Sequence, residues 1–258
     1  MPTLYIDLMS QPSRACYILC KKHGLPVDVQ MIRLDKGEHK KPAYLHINPL
    51  GKVPFLVDGD LRLPESAAIM AYLCDKYSLP DNWHPGSSSS SSGQAAAHQQ
   101  QQEQQRRAVY ESAVHWQHLN IRAGCMRLVF HTVIGPRVFK VPAVPQVAAD
   151  GLKVLQQALK DLESYWLGGG SRPFMTGQQV STPDLLCVCD LEQLRMMVAE
   201  PSQPQLEQLL APHPIVRQWM AAVRAAVVPA LYDEAHGKLA AAVARLAAAA
   251  AAKPAARL

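Results

Sequence analysis

Asn48-Pro-Leu-Gly-Lys-Val-Pro-Phe-Leu-Val-Asp-Gly-Asp-Leu-Arg-Leu-Pro-Glu-Ser66, running on into Ala67-Ala-Ile-Met-Ala-Tyr-Leu73, decides the reading of this chain. Phe55-Leu-Val57 is a short apolar strand, Asp58-Gly59 a strong hairpin turn, and Leu61-Arg-Leu63 the answering strand. Pro54 stands at the strand entrance, where it removes no ladder hydrogen bond. The Val53–Pro54 bond is a candidate for the cis isomer, which leaves the backbone N–H and C=O of Val53 facing outward. Glu65-Ser66 then opens a helix whose apolar residues Ile69, Met70, Leu73 and Tyr77 recur at helical spacing. Unpaired amides in that first turn form an anion site able to hold a carboxylate. A strand edge beside such a site suits a small peptide. Taken alone, the same signals equally describe a buried hairpin and an ordinary helix start.

Composition narrows the field. The chain has 258 residues, 48% hydrophobic and 18% charged, enough for one large domain or two small ones with an ample core. No apolar run approaches a membrane span, and the N-terminus lacks a signal-peptide layout. The formal charge of +5 is scattered and lacks interleaved aromatics, so neither nucleic acid nor membrane is expected as a partner. The six cysteines show no metal-ligand spacing, so no metal is expected, and most sit in apolar helical contexts suited to a reducing compartment.

Outward from the hairpin, Leu4–Leu8 is a first strand and Ser10-Gln-Pro-Ser-Arg14 breaks it. Ala15–Lys22 is a helix ended by Gly24, Val27–Leu34 a second strand, and Pro42–His46 a short helix. The order βαβ then αββα in residues 1–82 is that of a thioredoxin-like domain. Residues 83–105 form a low-complexity Ser/Gln insertion, with six consecutive serines, expected to be a flexible solvated linker. Strand signals then vanish. Arg107–Phe130 is a long amphipathic helix with Trp116 and Leu119 inward, and Val144–Leu167 is another, closed by Gly168-Gly-Gly170. Ser181-Thr-Pro-Asp184 is a capping box opening an apolar core helix, and Pro214–Val227 follows. The fold class is therefore α/β plus all-α, with a helical domain over 106–238 and an alanine-rich helix or tail over 239–258.

The motifs Leu8-Met-Ser10-Gln-Pro-Ser-Arg14, Lys36-Gly-Glu-His39, Asn48-Pro-Leu-Gly-Lys-Val-Pro54 and Pro64-Glu-Ser66-Ala-Ala-Ile69 together resemble the glutathione transferases, specifically their theta class. Asp58-Gly-Asp60, Ser181-Thr-Pro-Asp184 and Glu234-Ala-His236 extend the resemblance from residue 3 to about residue 236. It implies the glutathione transferase fold, glutathione as co-substrate, a homodimer, and an electrophile pocket between the domains. That pocket would be walled by the loop after the first strand, Arg122–Phe130 and the final helix, with Leu239–Leu246 able to cover it.

The resemblance also assigns roles. Ser10, just before the first turn of a helix, would donate a hydrogen bond to the thiolate of glutathione. Read alone, without the flanking motifs, it is more readily a helix cap. Tyr5, on the first strand, is the rival hydroxyl. Cys16 and Cys20 lie too deep in the helix to serve, and Ser10-Gln-Pro-Ser13 stands where a dithiol protein carries its cysteine pair. Val53 would pair its backbone with the cysteinyl residue, with Pro54 shaping that edge. Glu65 would take the γ-glutamyl ammonium and Ser66 its carboxylate. His39, Lys40 and Lys52 would meet the glycyl carboxylate, and Gln11 joins the binding set. Arg122 matches an arginine aimed at the site, although such an arginine is as often an ion-pair member. Pro64 stands where threonine is usual and is expected to stiffen the strand exit without touching ligand; Leu119 replaces a position that can be polar.

The expected activity is attack of the glutathione thiolate on alkyl or benzyl halides and activated alkenes, or on organic hydroperoxides as a glutathione-dependent peroxidase. The alternative is a non-enzymatic ligand carrier or interaction module on the same fold; the intact Ser10, Val53-Pro54 and Glu65-Ser66 speak against it. The expected location is the cytoplasm, with Ala256-Arg257-Leu258 a candidate peroxisomal address.

Overall fold

The computed structural model describes residues 1–86 and 94–252; Ala256-Arg257-Leu258 lies outside them. The N-terminal half places β1 (Thr3–Ile6), α1 (Gln11–Lys22), β2 (Asp28–Met31), α2 (Pro42–Ile47), β3 (Phe55–Asp58), β4 (Leu61–Leu63) and α3 (Ser66–Lys76) in that order. The sheet order is β2-β1-β3-β4. β2 runs parallel to β1, and β3 lies antiparallel to both β1 and β4. In β1, Leu4 and Ile6 are fully buried and alternate with half-buried Thr3 and Tyr5, so one face of the sheet meets α1 and α3.

Several boundaries differ from the sequence reading, and β2 stops at Met31 rather than Leu34, where a 3-10 turn over Leu34–Lys36 takes the chain. α1 begins at Gln11 rather than Ala15, because Pro12 falls in the first turn, where its missing N–H breaks no hydrogen bond. β1 stops at Ile6, where Asp7 starts a turn whose carbonyl accepts from Ser10 N–H at 2.8 Å. Gly24, with φ of +58°, ends α1 as expected, and Leu25 N–H bonds back to Cys20 O at 2.9 Å.

The helical half comprises α4 (Gln94–Gln117), α5 (Ala123–Val129), α6 (Pro145–Asp161), α7 (Thr182–Gln193), α8 (Leu206–Leu210), α9 (Pro214–Val227) and α10 (Pro229–Ala251). α4 starts inside the stretch expected to be linker: alanine and glutamine are good helix formers, and its exposed Gln99–Gln101 continue into the buried turn at Tyr110. Leu119 is 70% exposed, not inward. The reason is a wide π-helical turn over His118–Arg122, which breaks the 3.6-residue period on which that expectation rested. α7 is buried along its whole length and packs against α1 and α4, forming the seam between the halves. Its capping box forms as read: Asp184 accepts from Ser181 N–H at 2.9 Å and also from the Trp219 indole N–H at 2.7 Å. Among the described residues no helix is long and apolar enough to cross a membrane.

Candidate functional site

Ser10 is delivered by the turn Asp7–Ser10 and stands as N-cap of α1, with φ of −84° and ψ of 123°. Its hydroxyl does not cap the helix. Instead it faces Val53 O across the fold at 3.5 Å, at the outer limit of a hydrogen bond. Arg14, fully buried one turn into α1, holds the preceding loop. It donates to Leu8 O at 2.9 Å and, across the seam, to Cys189 O at 2.8 Å and Gln193 Oε1 at 2.9 Å.

The Val53–Pro54 bond is cis. The strand entrance is braced from behind by Lys52 O, which accepts from Tyr44 Oη at 2.6 Å and Asn48 Nδ2 at 2.8 Å. At Gly51, φ is +57°, and an added Cβ would come within 2.9 Å of His39 O and 3.1 Å of Lys40 Nζ. This close approach gathers His39, Lys40 and Lys52 at one end of the strand edge. His39 has its Nδ1 buried without a partner, and burial, then Lys40, holds its imidazole below the usual range. At neutral pH the cations at this end are therefore the two exposed lysines, with His39 a neutral hydrogen-bonding group.

At the other end, Glu65 precedes α3 with φ of +68°, a region that non-glycine residues rarely adopt. The turn leaves the first amides of α3 without intrahelical acceptors, and no side chain caps them. Arg122 enters from the π-helical turn after α4. Its Nη1 pairs with buried Asp190 at 3.0 Å, and it lines the cavity described below. Burial pushes the Asp190 carboxyl up from its usual value, against the pull of Arg122 and Arg14.

A cavity of about 340 Å³ is lined by Lys52, Val53, Pro54, Glu65, Ser66 and Arg122, whereas Ser10, His39 and Lys40 lie outside its lining. Pro64, next to the sharp turn at Glu65, also lines it. Gln11 is turned away: its amide reaches Met126 Sδ at 2.8 Å in the domain seam, and it lines neither this cavity nor the larger cleft beside it. That cleft, about 680 Å³, runs between α3 and α4. Neither is walled by α10, whose Leu239, Val243 and Leu246 pack inward on the core. Tyr5 stacks edge-on against Tyr44 at 5.9 Å between ring centres, and all six cysteines are buried and free. Asp7, Arg14, Asn48 and Asp190 are the contributors that sequence reasoning passed over. Asn48 and Arg14 stood inside quoted motifs; Asp190, in the middle of an apolar helix, was the clearest missed signal.

Residues 4–81 match the model of the glutathione S-transferase N-terminal domain. Glutathione S-transferase T1 of Arabidopsis thaliana is 36% identical over 234 residues, covering 90% of this chain and 86% of its own. The chain belongs to the theta-class glutathione S-transferases. Human glutathione S-transferase theta-1 is likewise 36% identical, over 90% of this chain and 86% of its own. A longer relative, Arabidopsis thaliana glutathione S-transferase T2, is 36% identical but matched over only 36% of its length. Among solved structures, human glutathione transferase theta-2 in complex with glutathione and an unknown ligand superposes with a TM-score of 0.78 at 34% identity, covering 96% of this chain and 91% of that one. The apo form of human T1-1 gives 0.76 at 34% identity, over 95% and 91%. The glutathione S-transferase fold, a thioredoxin-like four-stranded domain followed by a helical one, is thus that of the theta-class enzymes.

Proposed function

We propose that the protein binds glutathione in the 340 Å³ cavity and transfers its sulfur to small electrophiles, with Ser10 donating a hydrogen bond to the thiolate. The observation that carries this is the approach of Ser10 Oγ to Val53 O at 3.5 Å, which sets one hydroxyl beside an outward-facing strand edge. A cysteinyl backbone paired with Val53 would bring its sulfur to that hydroxyl. The γ-glutamyl ammonium then meets Glu65, and its carboxylate meets Ser66 with Arg122 nearby. The glycyl carboxylate meets Lys40 and Lys52, with His39 as a neutral partner.

The free thiol has a pKa near ~8.5, so only a few per cent is thiolate at neutral pH. Lowering it to about 7 requires about 2 kcal/mol, within the ~1.5–3 kcal/mol of one hydrogen bond to a charged group. In conjugation the sulfur forms a bond to carbon while the halide leaves with its electron pair, or the electrons pass into an activated alkene that then takes a proton from water. With a hydroperoxide the sulfur forms a bond to oxygen, the O–O bond breaks and an alcohol leaves; a second glutathione converts the sulfenic acid to disulfide and water. A homodimer belongs to the same proposal, since Leu119, 70% exposed on the larger cleft, is a surface that a second copy would cover; sedimentation at micromolar concentration tests it.

The decisive experiment is glutathione turnover with cumene hydroperoxide and with a benzyl halide, for wild type and Ser10→Ala. A loss of about a hundredfold or more in the variant, with glutathione still bound, supports the role given to Ser10. Unchanged turnover in Ser10→Ala sinks that role and turns attention to Tyr5. Binding without turnover of either substrate in wild type moves the carrier reading ahead.

A further inference from the structure

The carboxylate of Asp7 is 1% exposed, yet it lines no part of the glutathione cavity. Its Oδ1 accepts from Met9 N–H at 3.0 Å, and its backbone carbonyl accepts from Ser10 N–H at 2.8 Å. One residue therefore builds both hydrogen bonds of the turn that presents Ser10. Its Oδ2 accepts from Leu34 N–H at 2.9 Å, the first residue of the segment that runs to His39 and Lys40. The third partner comes from the far end of the chain: Lys238 Nζ, on α10, lies 2.5 Å from Oδ1. The turn that presents Ser10 and the segment that leads to His39 and Lys40 thus share one carboxylate with the last helix.

We infer that Asp7 and Lys238 are positioning residues, a latch through which α10 holds the Ser10 turn and the 34–40 segment in the spacing that glutathione requires. This rests on the function proposed above. A buried carboxylate accepting two backbone N–H groups needs a countercharge, and Lys238 supplies it. Met9 and Leu34 N–H are fixed only as well as that carboxylate is fixed. Lys238 is well placed to tune rather than to fold the protein. Its neighbour Leu239 is 1% exposed, and Glu234 accepts from Tyr17 Oη at 2.5 Å, so α10 stays docked on α1 whatever occupies position 238. The lysine head itself is one-third exposed, with side-chain exposure of 36%, beside a surface cleft of about 290 Å³ that also meets Leu8, Ile32 and Arg33. Water reaches the pair, and opening it leaves the core intact. Arg33 is occupied by Asp35 at 2.7 Å, which leaves Lys238 as the cation on Asp7 among the described residues.

Lys238→Met keeps the aliphatic stem and removes the charge, and Lys238→Arg restores a donor. Hydrogen–deuterium exchange of the whole, ligand-free protein reads the latch without any reference to catalysis. We expect peptides covering Leu8–Ser10 and Leu34–Lys40 to exchange about fivefold faster in Lys238→Met, peptides from α6 and α9 to stay unchanged, and Lys238→Arg to restore the wild-type pattern. The KM for glutathione should rise about fivefold in the same variant, the ultraviolet titration of bound thiolate should move to higher pH, and the KM for the electrophile should not change. Equal exchange in the two loops, acceleration spread over the whole chain, failure of the arginine variant to restore, or faster loops with an unaltered glutathione KM would each overturn the inference. If Ser10→Ala leaves turnover intact, the catalytic proposal fails while the exchange result still decides the latch.

Discussion

Glu65 holds a φ of +68° and a ψ of 116° without being a glycine, a conformation that costs on the order of 1–3 kcal/mol. That turn aims its side chain and the first amides of α3 at one cavity. Glycine removes the strain and loses about 0.5–1 kcal/mol to chain entropy, so Glu65→Gly is expected to keep or raise the melting temperature. It also removes the carboxylate proposed to meet the γ-glutamyl ammonium, and the KM for glutathione should rise at least about tenfold. Thermal unfolding and glutathione saturation curves on one preparation test both halves. A fall of several degrees would mean that the Glu65 side chain is a structural brace, and an unchanged KM would remove it from the binding set. Arg14 makes the complementary point: the sequence marked it only as part of a motif, yet its guanidinium joins the Ser10 loop to α7 through carbonyls that no sequence pattern reveals.

α5 and α6 cross with a glycine from each at the contact. A Cβ on Gly151 would lie 2.6 Å from Arg127 Cβ and 2.8 Å from Leu128 N, and one on Gly124 would lie 2.8 Å from Leu155 N. The two backbones touch, and the obstacles are main-chain atoms or the Cβ fixed directly to them, which no rotamer change can move. Glycine to alanine inside an exposed helix normally stabilises by about 1 kcal/mol; at Gly151 the sign should reverse, to a loss of about 1–3 kcal/mol from overpacking. Gly237 on α10 has nothing within 4 Å of its would-be Cβ and provides the control. We expect Gly237→Ala to be neutral or stabilising and Gly151→Ala to unfold at lower denaturant; equal midpoints would refute the close crossing. Elements such as β3, β4, α7 and α9 were legible because turn residues, capping boxes and apolar spacing all act within a few positions. The outward turn of Leu119 was not, since a π-helical turn carries no sequence signature of its own, and the early start of α1 was hidden by a proline that looks like a breaker but sits where it is tolerated. Of the site, the strand edge and helix start were plain in Val53-Pro54 and Glu65-Ser66. Asp7, Asp190 and the inward-turned Gln11 depend on contacts between distant segments, and local pattern does not encode those.

The two halves meet on a buried polar seam in which Arg14, Asp190, Glu192, Tyr232 and His236 are packed among apolar side chains, so the whole molecule's stability should respond to pH through groups that cannot reach water. His236 is the clearest. It stacks on Tyr232 with ring centres 4.3 Å apart, bonds Tyr232 O through Nδ1 at 2.8 Å, and keeps Nε2 buried without a partner. Burial first, then Arg14, pushes its imidazole down to about 4. In the unfolded chain the same group titrates near ~6.5. The folded value is the lower one, so below about pH 6.5 the unfolded state binds a proton that the native state refuses, and stability falls as pH drops towards 4. At pH 4.5 this amounts to about 2.5 kcal/mol, which is on the order of 5–10 °C in a chain of this size. Asp184 and Asp190, whose carboxyls burial pushes up, act with the opposite sign over the lower part of the same range, so the total slope alone cannot isolate the histidine. The difference between wild type and His236→Gln can, because the carboxylates are common to both. Denaturant unfolding at pH 7.5 and at pH 4.5 should show wild type losing about 2.5 kcal/mol more than the variant between the two. Parallel losses would mean that His236 takes up its proton in the folded seam, with Nε2 finding an acceptor as it does so.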